Sequence, residues 1–117
     1  MVSRGIRGAI TVDEDNASGI LEATTLLLKT IQAQNDFAVD DITSILFTAT
    51  RDIKSIYPAQ AARDLGWDKV PLLCFQEMEV EGALPLCIRV LVTINTEKEK
   101  DIKPVYLRKA IILRPDI

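Results

Sequence analysis

LCIRVLVTIN, residues 86–95, decides how this chain folds. Its aliphatic and β-branched content makes it the strongest strand in the sequence. One charge interrupts it. Arg89 stands between Ile88 and Val90, and because side chains alternate along a strand it shares a face with Cys87 and Leu91. Arginine is rarely buried without a partner, since desolvating its charge is costly. Two readings stay open from the pattern alone. Arg89 is a structural ion pair or an exposed position on a half-wet sheet face, or it is a guanidinium held rigidly to meet an anion. The structural reading stands ahead.

Working outward from this strand, ITSILFTAT (residues 42–50) is a second strand by its β-branched and aromatic content. Residues 70–74 read as a buried strand. Glu77, Glu79 and Glu81 alternate with Met78 and Val80, which suits an extended segment. Residues 105–113 read as the last strand, ended by Arg114-Pro115, after a charged surface loop at 96–103. The first segment, residues 2–12, is a strand in which Gly5 and Gly8 let something approach the backbone closely.

Two helices separate these strands. Residues 16–34 form the long one, with Asn16 or Ser18 as N-cap and with Ile20, Thr24, Leu27, Leu28 and Ile31 on one face at a 3.6-residue period. The chain breaks at Asn35-Asp36. Pro58 opens a short helix at 59–65, where its missing N–H is no loss, and Gly66 stops it. The expectation is an α+β fold: a mixed sheet with one long and one short helix, in a single domain over residues 1–117. A sheet with so few helices leaves edges and apolar faces to cover, which points to an oligomer.

Composition narrows the function. Hydrophobic residues make up 48% of the chain, too many for disorder. The net charge of −3 argues against a general nucleic-acid partner. No apolar run is long enough for a signal peptide or a membrane span, and two cysteines are too few for a disulfide scaffold, so the expectation is a cytoplasmic protein with reduced thiols. Histidine is absent, which excludes Ser-His and Cys-His nucleophiles and histidine metal sites within one chain. The Glu77-x-Glu79-x-Glu81 run is a solvated face rather than a metal site, because alternation does not define a ligand set. Cys74, with no histidine to activate it, reads as a small buried residue or a weak hydrogen-bond donor. Arg7, Arg89 and Arg114 all lie at or beside apolar strands. A guanidinium's planar fork matches a carboxylate, so together they suggest an anion pocket.

Five blocks carry a resemblance. RGIRGAITV (4–12), YPAQAARDLGW (57–67), VPLLCFQEMEV (70–80), CIRVLVTIN (87–95) and VYLRKAIILRPDI (105–117) resemble, in order and spacing, the monofunctional chorismate mutases of the small trimeric class. The resemblance implies a pseudo-barrel homotrimer with active sites at subunit interfaces. It implies an isomerase of aromatic amino-acid biosynthesis that converts chorismate to prephenate without cofactor or metal. Arg89 matches the central catalytic arginine, which would stabilise charge on the ether oxygen as its bond stretches. Glu77 matches the carboxylate that accepts a hydrogen bond from the ring hydroxyl, and Cys74 the residue beside that hydroxyl. Arg7 and Tyr106 match groups that reach the side-chain carboxylate, and Arg7 also the ether region.

The same resemblance makes Tyr57, Ala59 and Leu72 pocket walls, with Leu73 counted among the binding residues. Arg63 and Arg114 match cations near the pocket mouth. Gln60 departs from the family, which commonly has lysine there, and Tyr57 stands where phenylalanine is usual. The sequence ends soon after Arg114, so a shorter tail would cover the pocket less. Two other functions compete: an imine deaminase of the Rid type, and a non-catalytic trimer that binds a small carboxylate.

Overall fold

A computed structural model of the chain describes residues 1–97 and 99–114. Lys98, in the charged loop, and Pro115, expected to end the last strand, lie outside the described residues.

Among the described residues five strands make one mixed sheet: β1 (Val2–Thr11), β2 (Ile42–Ala49), β3 (Leu72–Gln76), β4 (Cys87–Thr96) and β5 (Val105–Tyr106). Their spatial order is β3-β2-β4-β1-β5. The strand at 86–95 is therefore the centre of the sheet, antiparallel to both β1 and β2. β3 and β5 add at the edges in parallel. Two α-helices, α1 (Ala17–Asn35) and α2 (Ala59–Asp64), complete the α+β architecture, with 3-10 turns at Val39–Asp41 and Arg108–Leu113.

Asn16 caps α1: its side chain accepts the Gly19 N–H at 2.7 Å. The expected face of Ile20, Thr24, Leu27, Leu28 and Ile31 is wholly buried. It packs with Ile6, Ile10, Ile45, Phe47, Ile88, Val90 and Val92 from one side of the sheet. At Gly8 the helix lies close against the strand. A Cβ there would stand 2.8 Å from Ile31 Cδ1 and 3.1 Å from the Val105 carbonyl, so the glycine makes room for α1. Asp36 ends the helix in the left-handed region (φ 48°), where its N–H bonds to the Gln32 carbonyl. Gly66, at φ +88°, follows α2 as expected of a helix stop.

Three expectations change. The strand at 70–74 is shifted to Leu72–Gln76 and is not buried. It is an edge strand, and Leu73 and Phe75 stand exposed because the described residues that cover the sheet's second face, Leu84, Ala110 and Leu113, pack over Ala9 and Cys87 and leave this edge open. The extended segment at 77–81 is a loop. Glu77 N–H still reaches the Ala49 carbonyl, but the ladder stops there, and the chain turns through Gly82 and Leu86, both at positive φ. The last strand is only two residues long. Arg108 adopts φ 56°, and the Lys109 N–H bonds to Thr11 Oγ1, which draws residues 108–113 into a 3-10 helix instead.

Candidate active site

The register aligns the sheet's second face in two rows. One runs Phe75, Thr48, Arg89, Ala9, Tyr106 across all five strands. The next runs Leu73, Leu46, Leu91, Arg7. Arg89 is thus the middle of a row, on the face away from the helices, with its side chain about half exposed. Neither reading drawn from its sequence pattern is complete alone. Arg89 has an ion-pair partner, Glu77 Oε1 at 3.4 Å from Nε, yet the pair is not buried and borders a cavity of about 420 Å³.

Arg7, Glu77, Arg89, Tyr106 and Arg114 all line that cavity, together with Leu46, Thr48, Phe75 and Leu113. Three guanidiniums and one carboxylate therefore meet in one concave space. Among the described residues Arg7 makes no ion pair or side-chain hydrogen bond, so its fork is available to an anion. Glu77 is held at Oε1 by the Thr48 hydroxyl at 2.7 Å, and Arg51 pairs with Glu79 at 3.0 Å. Two members of the acidic run thus face cations, Glu77 beside Arg89 and Glu79 on Arg51. Among the described residues no group of three or more potential ligands is placed to hold a metal ion.

Most of the remaining expected residues form a second group at β3, away from the Arg89 row. Cys74 and Tyr57 line a neighbouring cavity of about 620 Å³, which shares Phe75 with the first. Burial pushes the Cys74 thiol up. The Ala59 N–H bonded to it and the nearby Arg63 charge oppose that push. Leu72 points to the same side, beside Ile45. Gln60 donates to Asp64 along α2 at 2.9 Å, and Leu73 belongs to the exposed row instead. A single chain thus holds the expected residues in two separate groups.

A family model described as chorismate mutase type I matches residues 3–117. This chain belongs to the chorismate mutase type I family. It is 45% identical to the chorismate mutase AroH of Bacillus subtilis over 119 aligned positions, covering all of this chain and 94% of that protein. It is 47% identical to the chorismate mutase AroH of Thermus thermophilus over 116 positions, covering 97% of this chain and 95% of that one. A solved chorismate mutase from Clostridium thermocellum superposes with a TM-score of 0.91 at 45% identity, over 93% of this chain and 98% of that one. Membership in the chorismate mutase family leaves the imine-deaminase alternative without support.

Thr48, Phe75 and Leu113 were not among the residues expected at this mutase's cavity. Alternation along ITSILFTAT places Thr48 opposite Ile45 and Phe47, but its proximity to Arg89 depends on the β2–β4 register, which one strand cannot reveal. Leu113 reaches the cavity only because residues 108–113 coil back over β1.

Proposed function

We propose that this chorismate mutase rearranges chorismate to prephenate, a step of aromatic amino-acid biosynthesis, in the cavity centred on Arg89. The observation that carries this is the meeting of Arg7, Arg89 and Arg114 with Glu77 and Tyr106 in one space, where a dicarboxylate finds cations and an alcohol finds an acceptor. In the reaction an ether C–O bond breaks as a C–C bond forms, and no proton moves. The side chains therefore act by placement and charge. Arg89 donates to the ether oxygen as negative charge grows there. Glu77 accepts from the ring hydroxyl, and Arg7 and Tyr106 hold the side-chain carboxylate. This is preorganised electrostatic stabilisation, strongest at the transition state.

The second half-site completes the pocket from a neighbouring protomer of a homotrimer. Tyr57, Ala59 and Leu72 serve as walls, Cys74 lies near the hydroxyl, and Arg63 lies at the mouth. Gln60, an amide, contributes polarity rather than charge. The chain acts as one domain over residues 1–117 in the cytoplasm, without nucleic acid or membrane. Among the described residues no helix is long and apolar enough to cross a membrane.

Arg89→Ala tests the central assignment. Losing one such donor lowers kcat on the order of 10²–10³-fold, with a much smaller change in KM, as steady-state kinetics on chorismate would read. Turnover close to that of the unsubstituted enzyme would overturn it. Binding of chorismate with no prephenate formed by the unsubstituted protein would establish the non-catalytic alternative.

A further inference from the structure

Glu77 has a demanding task on an unpromising support. It follows the last residue of β3, where the ladder has ended, and a glutamate side chain has three rotatable bonds. Its backbone is fixed by one hydrogen bond to Ala49. Its carboxylate needs an anchor of its own. The Arg89 contact is a poor candidate, because 3.4 Å is long for a charge-assisted bond and the guanidinium is half exposed.

Thr48 supplies the shorter contact, 2.7 Å from its Oγ1 to Glu77 Oε1. Three features make it a rigid one. Threonine is stiff about χ1 because it is β-branched. Thr48 lies inside β2, paired on one side with Arg89 of β4 and on the other with Phe75 of β3. It also lines the cavity itself. With Oε1 accepting from Thr48 and facing Arg89, the remaining oxygen is Oε2. Among the described residues Oε2 accepts only from the Met78 N–H, at 3.2 Å.

We propose that Thr48 is a positioning residue of the rearrangement: its hydroxyl fixes Glu77 through Oε1, so that Oε2 meets the substrate's ring hydroxyl and Arg89 keeps its place beside it. This rests on the reading of Glu77 and Arg89 given above. Thr48 acts through Glu77 and touches no reacting atom. Small misplacements of a substrate-orienting group are costly in rate, which is why a second residue is needed to hold it.

The test is a double-mutant cycle on the full chain with chorismate as substrate. Thr48→Val keeps the shape and removes the donor, and is expected to lower kcat/KM about tenfold. Thr48→Ser restores a hydroxyl and recovers most of the loss. In a Glu77→Ala background there is no carboxylate to position, so adding Thr48→Val changes kcat/KM by less than about twofold. An equal loss from Thr48→Val in both backgrounds, or no recovery with serine, would assign Thr48 a merely structural role and overturn the proposal. Full activity of Thr48→Val beside a crippled Glu77→Ala would also overturn it while leaving the reading of Glu77 intact. Full activity of Glu77→Ala would instead remove that reading and the proposal with it.

Discussion

Two polar residues stand among apolar neighbours, Thr24 on the inner face of α1 and Arg89 in the aliphatic run of β4, and they have opposite fates. Thr24 is wholly buried in α1, and among the described residues its Oγ1 has no hydrogen-bond partner. Threonine in a helix usually turns its hydroxyl to the carbonyl a turn earlier, so an unpartnered one is a net cost. Thr24→Val removes that hydroxyl at nearly constant shape and is expected to raise stability by about 1 kcal/mol, read as a higher urea midpoint at unchanged slope. A lower midpoint would mean that the hydroxyl has a partner in solution. Arg89, by contrast, leaves the core and faces the cavity with Glu77 at hand. The sequence marked Arg89 as anomalous because a charge inside an aliphatic strand is conspicuous. Thr24 passed as one more member of a helical face, since hydrogen-bond satisfaction depends on neighbours that periodicity does not name.

At the scale of elements, the parts readable in advance are those whose signals are local. Asn16 as cap, Pro58 and Gly66 around α2, and the aliphatic run of β4 all follow from their own residues and immediate neighbours. The parts that changed are governed from a distance. Residues 108–113 have strand composition but coil because Thr11, nearly a hundred positions away, accepts from Lys109 and from Arg108. The candidate site followed the same division. Its arginines were visible one by one, whereas the row that joins Thr48, Arg89 and Tyr106 exists only once the register is set. A further long-range clasp joins the start of α1 to the loop before Tyr57: Asp15 Oδ1 accepts the N–H groups of Lys54 and Ser55, both at 3.0 Å. The Lys54 N–H, chiefly, holds the Asp15 carboxyl below its ordinary value of 3.8. Partial burial works against this, and Ser55 adds to it. A carboxyl with a lowered folded pKa stabilises the fold above its ordinary value, and that contribution is lost as pH falls through the lowered one. Asp15→Ala should therefore melt below the parent at neutral pH, and the gap should narrow once the pH drops below 3.8. Thermal unfolding followed from neutral into acid solution checks this, and a gap constant with pH would exclude the ionised clasp.

At the scale of the whole molecule, the second sheet face is the unfinished part of the chain. Leu73, Phe75 and Leu91 are 58%, 49% and 38% exposed on it, beside the very rows that carry Arg7 and Arg89. Fully burying such a side chain from water contributes roughly 1.5–3 kcal/mol, and covering the part still exposed contributes about half of that, so several together favour covering the face with other protomers. The division of the expected residues into two groups points the same way. If a trimer joins the Arg89 half of each protomer to the Arg63 half of the next, the interface is heterologous and three equivalent sites close a ring. Arg89→Ala and Arg63→Ala then damage different halves of every site. Each homotrimer is impaired at all its sites. When the two variants are unfolded, mixed in equal amounts and refolded together, a site is intact wherever its Arg89 half comes from the Arg63 variant and its other half from the Arg89 variant. Random assembly gives each condition half the time, so about one quarter of the parent activity should return under this heterologous arrangement. The sedimenting mass should stay near three times the 13.0 kDa chain. Activity no higher than the average of the two variants would mean that each chain carries a complete site of its own, and the half-sites of Cys74 and Arg89 would then have to serve different purposes.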